Sequence, residues 1–286
     1  MSMKGKVLSE MRELFREKYF LVGFGMFLPL FLLGTIGRFF LSPAYLKFES
    51  VPQSMPPSSA YILGTDRYGR DVLTVLAHSI GPSLYIGTIA SITAVGLGVF
   101  MGLMGGYKGG IIGNVVSAVT NIFLVIPNLP LIIIISAYVR VLSIESMGFL
   151  LGAFGWSWHT RLIRAEVISL KEREFVNLAK TMGISDLSII IRDIAPNLLP
   201  IIGVRFVTSI SSAIIAESTI ELIGLGPQGI QSMGWMIYFV TQGQAFYNGL
   251  WWWIIPVITT LFVIFISLQF INIGLDKIFN PRLRTK

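Results

Sequence analysis

The chain has 286 residues, 53% of them hydrophobic and only 13% charged, with a mean hydropathy of +0.74. An ordinary soluble domain carries about 25% charged residues, so a water-soluble fold is not expected. The lack of any Cys excludes disulfide scaffolds, thiolate metal sites and Cys nucleophiles, and two isolated histidines, His78 and His159, make no metal-ligand set. The formal charge of +7 does not mark a nucleic-acid partner, because the basic residues fall between apolar blocks rather than forming one patch.

A bilayer core needs about 20 apolar residues per helix, and six such helices are expected in chain order. They are Tyr19–Gly37, Ser79–Tyr107, Gly109–Val139, Met147–Ile163, Asn197–Ala216 and about Trp251–Ile273. The fold class is therefore all-α, a polytopic membrane protein. The first span follows Lys4, Lys6, Arg12, Arg16 and Lys18, but the Arg38-Phe39-Phe40-Leu41 after it offers no small-residue cleavage site, so it reads as a retained span rather than a signal peptide. Gly98, Gly102, Gly106 and Gly110 recur every four residues. They form a small-residue stripe suited to close helix packing within the chain, and its end, Gly105 to Gly110, should terminate the helix.

Six spans put both termini on one side. Five basic residues precede the first span, Lys108 lies in the second loop, six lie between Arg161 and Arg192, and four follow the last span. The other side has five: Arg38, Lys47, Arg67, Arg70 and Arg140. The positive-inside rule then places both termini and the Arg161–Arg192 loop in the cytoplasm, with the protein in the cell (inner or plasma) membrane. Trp251-Trp252-Trp253, preceded by Trp235 and Tyr238, suits an outer-interface aromatic belt.

The cytoplasmic loop at about 165–196 is too long for a simple connection. It mixes charges with apolar residues at helical intervals, Gly183 gives a stop, Ser185 can cap a second helix and Pro196 can end it. The pattern is helix, turn, helix. Its apolar residues need cover, from the lipid surface, from the bundle itself, or from a cytoplasmic partner.

The segment Glu174-Phe175-Val176-Asn177-Leu178-Ala179-Lys180-Thr181-Met182-Gly183, followed by Ala195-Pro196-Asn197, resembles the cytoplasmic-loop signature of ABC importer permeases. Asn177-Leu178-Ala179 stands at the Glu-Ala-Ala position of that signature, so the final Ala and the Gly match and no carboxylate stands at its first position. Leu63 to Leu73, Gly105 to Gly110, Ala216-Glu217, Leu222 to Gly226 and Asn280 to Arg284 are similar to segments of the second permease subunit of dipeptide, oligopeptide and nickel importers.

The resemblance implies a type I ABC importer transmembrane fold. Residues 1–78, a cytoplasmic N-terminus, the first transmembrane helix and an external loop, would precede a five-helix transmembrane core at 79–286 that holds the coupling loop at about 165–196. The implied partners are a homologous second permease, two cytoplasmic ATPases that bind ATP and Mg, an external or periplasmic solute-binding protein, and the lipid bilayer. No Gly-x-x-x-x-Gly-Lys-Ser/Thr occurs in the chain, so it is not expected to hold a nucleotide or cofactor, nor to be an enzyme itself.

Glu174, Val176, Asn177, Leu178, Ala179, Met182 and Gly183 are then the expected ATPase-docking residues. Val176, Leu178, Ala179 and Met182 would form the buried face, with Lys171, Arg173, Glu174 and Lys180 at the rim. Arg205, Glu217 and Glu221 are candidates for the solute path or gate. Glu217 and Glu221 share a helix face near the outer end of the fifth span, where they could line the path or be bonded to backbone groups at the helix end. Asp66 and Arg70 read as a self-paired surface helix. The alternative class, an ATP-independent secondary transporter or channel, calls for charged or unwound sites at mid-membrane; only Arg205 is charged there.

Overall fold

A computed structural model describes residues 14–139 and 142–279. The described elements are helical, apart from one isolated bridge between Thr65 and Asp71. Helix α1 is Lys18–Thr35, α2 Val72–Lys108, α3 Gly110–Val125, α4 Asn128–Tyr138 and α5 Ile144–Lys171. After these come α6, Glu174–Thr181, and α7, a continuous helix over Asp186–Leu222. The last two are α8, Met233–Gln242, and α9, Trp251–Phe279.

Four of these, α1, α2, α7 and α9, are long and apolar enough to cross a membrane. The pair α3 and α4, bent by 77° where Pro127 interrupts the helix, is a fifth if the two count as one span. The expected single span Gly109–Val139 is thus two helices. The expected fourth span lies in α5, which does not join the others by length and composition; its later half carries Arg161, Arg164, Glu166 and Lys171.

The main packing seam joins α2 to α5, and glycines on both helices form it. A Cβ added to Gly148 or Gly152 of α5 would lie 2.7 Å from Ile89 or 2.5 Å from Thr93 of α2. Further along, a Cβ on Gly98, Gly102 or Gly106 of α2 would lie 2.5, 2.7 or 2.8 Å from His159, Ile163 or Val167 of α5. The stripe is therefore used within the chain, and Gly110, with φ +51°, stands past the helix end. Residue numbers rise together along both helices, so α2 and α5 run parallel. The intervening α3 and α4 must carry the chain back along the length of α2.

At the other edge, α1 runs antiparallel to α9. Gly23 packs on the backbone of Ser267 and Ile271, and Gly274 packs on Phe20. The far end of α1 meets the start of α2, where Gly34 touches Ile80. The start of α1 and the ends of α2, α5 and α9 therefore share one end of the bundle, where Lys277 lies 3.6 Å from Glu17.

The opposite end is closed by the segment before α2. Asp66 and Arg70 are paired there at 2.7 Å, each almost fully buried. They lie in a turn rather than the expected surface helix. Asp66 also accepts the backbone N–H groups of Tyr68 and Arg70, each at 2.9 Å. The Arg70 guanidinium lies 4.3 Å from the Phe239 ring centre and 5.1 Å from that of Phe48. Aromatic faces and one carboxylate thus replace water around the buried cation. Burial pushes the Asp66 carboxyl up from its ordinary value, against the downward pull of Arg70. Of the three tryptophans at 251–253, Trp251 is exposed, Trp252 donates to the Thr65 carbonyl at 3.1 Å, and Trp253 is a core residue packed on Gly243.

Candidate functional site

Helix α6 lies at the end shared by the start of α1 and the ends of α2, α5 and α9. Its stop is a Gly183 turn with φ +75°: the Ile184 N–H reaches back to the Ala179 carbonyl at 3.1 Å and the Gly183 N–H to that of Lys180 at 3.0 Å. Only a residue tolerant of the left-handed conformation closes a helix this way at low cost. Ser185 stands at the next N-cap, but its side chain makes no capping bond. Pro196 does not end the following helix. The stretch Ile190–Ile194 is π-helical and leads directly into the α-helical Ala195–Leu222, so the wider hydrogen-bond spacing absorbs the N–H that Pro196 lacks.

The four residues expected on one face of α6 divide between two. Val176 and Ala179 are 0% and 5% exposed and belong to a core cluster with Tyr107, Ile163, Val167, Leu170, Ile189, Ile194 and Leu198. Leu178 and Met182 are 61% and 71% exposed. Positions 176 and 179 lie three apart, as do helical neighbours, whereas 178 and 182 lie four apart on the other side. The inner pair fixes the helix to the bundle, and Leu178, Met182 and Phe175 form its outward apolar surface. Glu174 occupies the first turn and Asn177 is exposed.

Sequence reasoning missed Tyr107, which ties the assembly together. Its hydroxyl donates to Asp186 at 2.7 Å, its carbonyl accepts from Lys171 at 2.5 Å, and the ammonium groups of Lys171 and Lys180 lie 5.5 and 5.7 Å from its ring centre. The ends of α2 and α5, helix α6 and the start of α7 therefore meet on one residue, with Lys171 half-buried and Lys180 exposed beside its ring. The only signal in the sequence was an aromatic residue set in a glycine run, which reads as a helix end.

Glu217 and Glu221, near the far end of α7, are both fully buried. Ser83 of α2 donates to Glu217 at 2.9 Å and accepts the Met233 N–H at 3.0 Å. Ser232 and, at 3.0 Å, the Trp235 N–H donate to Glu221. The carboxylates thus fasten α7 to α2 and to the start of α8, with Gly226 and Gly234 packed directly against Glu221. They are enclosed rather than solvated. Arg205, three turns below, joins neither: its Nε is buried with no hydrogen bond.

A cavity of about 310 Å³ lies between α2, α4, α5 and α7. Its polar lining comes from Asn128, Trp158, His159, Thr208, Ser209 and Ser212, with no formal charge among the lining residues if His159 is neutral. The cavity includes none of Arg205, Glu217 and Glu221. A readable signal was present, since Thr208-Ser209 and Ser211-Ser212 interrupt an otherwise apolar span. Gly224 to Gly229, which match Gly-x-Gly-x-x-Gly, follow a helix and not a strand, so the dinucleotide arrangement is not formed.

The chain is similar to known proteins over most of its length. The chain is 28% identical to the dipeptide transport system permease protein DppC of Bacillus subtilis (strain 168), over 96% of this chain and 85% of the relative. It is 26% identical to the oligopeptide transport system permease protein OppC of Lactococcus lactis subsp. lactis (strain IL1403), over 96% and 94%. It is 31% identical to DppC of Lactococcus lactis subsp. cremoris (strain MG1363), over 80% and 66%. Residues 94–285, which hold the parallel seam, helix α6, the buried carboxylates and α9, match the family described as binding-protein-dependent transport system inner membrane component, and the chain belongs to that family.

Proposed function

We propose that the chain is one permease half of an ATP-driven peptide importer of the type I ABC fold, and that a homologous second permease supplies the other half of the path. The observation that carries this reading is α6 itself: one face is locked into the bundle by Val176 and Ala179, and the opposite face offers Leu178 and Met182 to a partner. Two cytoplasmic ATPases are the proposed partners, and they would hold ATP and Mg. A solute-binding protein would deliver the substrate to the end closed by the Asp66–Arg70 pair. The names of the relatives, dipeptide and oligopeptide permeases, support peptides as the solute.

Six crossings are the topology we favour. The parallel register of α2 and α5 supports it: α5 lies along α2 over residues 148–167, a length of about 28 Å, comparable with a bilayer core. Both termini and α6 would face the cytoplasm, in the cell membrane, as the basic-residue distribution requires. Residues 1–78 would supply the cytoplasmic N-terminus, the first crossing and the external segment, ahead of the transport core at 79–286.

In this reading ATP binding closes the two ATPases, α6 moves with the surface it is seated in, and the Tyr107 contacts pass the motion to α2, α5 and α7. The uncharged cavity beside Thr208 and Ser212 would form part of the path, whereas Glu217 and Glu221 would hold its outer end together.

The test is co-purification from detergent with mass-spectrometric identification of partners, followed by ATP turnover in liposomes. Recovery of two ATPases, a second permease and a binding protein is the expected result. Solute transport by the purified chain alone, without an ATPase, would instead establish the ATP-independent transporter class.

A further inference from the structure

Between α3 and α5, toward the end that bears α6, lies a polar pocket of about 150 Å³ that the transport reading does not use. It is lined by Ser117, Thr120 and Asn121 from one helix and Thr160, Arg161 and Arg164 from the other. Both sets follow helical spacing, so each helix turns one donor-rich face to the same space. Two guanidinium groups line it and no carboxylate does. Neither arginine has an ion-pair partner among the described residues.

Two atoms point to a missing acceptor. The Arg164 Nε is buried with no hydrogen bond, and so is the hydroxyl of Thr120, a residue only 3% exposed. Arg164 is held from behind, with its terminal nitrogen against Gly113 of α3. It also borders a second cleft of about 520 Å³ with Lys171, Lys180 and Asn177, in which Glu172 is the one acidic residue. Arg161 is exposed and Arg164 half-buried, so the pocket is open to an incoming anion. A compact oxyanion would satisfy both guanidiniums and the hydroxyl together.

We infer that this pocket binds a phosphate group, drawn from an anionic phospholipid headgroup of the adjoining leaflet or from free phosphate. The site goes beyond the transport assignment and does not depend on it. Basic pockets between membrane helices on the side of the positive loops suit such headgroups. The adjoining cleft, which includes Asn177 and Lys180 of α6, would put the bound anion beside that helix.

The test uses the full chain in an uncharged detergent, alone and with the subunits that co-purify. Retained lipid is read by native mass spectrometry after exposure to phosphatidylglycerol or phosphatidylcholine vesicles, and inorganic phosphate binding is read by equilibrium dialysis. The wild type should retain phosphatidylglycerol over phosphatidylcholine. R161Q/R164Q should reduce retention on the order of tenfold or more, as loss of charge-assisted bonds implies, while the control R192Q on the same side leaves it unchanged. Arginine-dependent phosphate binding with no lipid preference would support the pocket and name free anion as its source. T120V, which removes the unpartnered hydroxyl without touching charge, should weaken retention a few-fold and decides the matter if the double variant does not fold. Equal retention by wild type and folded variants, or an equal loss in R192Q, would overturn the site. So would loss of lipid from the assembled importer with dissociation of R161Q/R164Q subunits, since the guanidiniums would then serve a protein interface.

Discussion

At Gly102 a single added methyl group would have to displace Ile163, and at Gly96, on the same helix, it would meet nothing within 4 Å. The pair provides an internal control. Gly102→Val should lower the thermal unfolding midpoint in detergent, by an overpacking cost of about 1–3 kcal/mol, whereas Gly96→Ala should leave it unchanged or raise it slightly through helix propensity. Glu221 offers a second contrast. Glu221→Leu leaves the Ser232 hydroxyl short of an acceptor in a buried site and the Trp235 N–H with only the Ser232 Oγ at 3.2 Å, at about 1–3 kcal/mol. Glu221→Gln keeps one oxygen in place and should cost less; equal unfolding midpoints for the two would contradict a fastening role. The glycine stripe was readable because its period is local. The partners of Glu217 and Glu221 were not, because Ser83 and Ser232 are brought to them only by the fold.

Helix α6 was legible as an element and misjudged in its orientation. Nine residues, 174–182, with apolar positions at 175, 176, 178, 179 and 182 fit more than one face, and the choice was made by packing against Ile163, Val167 and Leu198. The consequence is a mutational split. Leu178→Asp with Met182→Asp should leave the protein folded and abolish ATPase co-purification. Ala179→Arg should reduce folded yield first, because a long cation cannot enter that core without a partner. If Ala179→Arg kept native stability and lost only the ATPase, the inward placement of that face would be wrong. The helix starting at Asp186 shows a different limit: Pro196 signalled an end, and a π-helical stretch carried the backbone through it.

For the whole molecule, the basic-residue count and the parallel seam give independent arguments for the same arrangement. The chain has no Cys, so single cysteines can be introduced with no background to remove. With a membrane-impermeant maleimide on intact cells, Gln53→Cys and Ser143→Cys should label from outside, and Lys108→Cys and Glu172→Cys only after permeabilisation. Labelling of positions 143 and 172 from the same side would show that α5 does not cross. The number of strongly apolar spans could be read from composition. The crossing we assign to α5 was expected only as the short stretch Met147–Ile163, because its face toward α2 sets small and polar residues such as Gly148, Gly152 and Thr160 among its apolar ones.

Helix α2 runs without interruption from a first turn capped by Asp71 to the contacts of Tyr107, 37 residues or about 55 Å. A rod pinned at both extremities transmits a push as displacement instead of dissipating it in bending. On the proposed function, a pull on the phenol at the lower tip would be felt at the upper tip, and a solute arriving above would load the same strut in reverse. Pro82, which removes one backbone bond near the upper tip, is the natural place for that strut to flex.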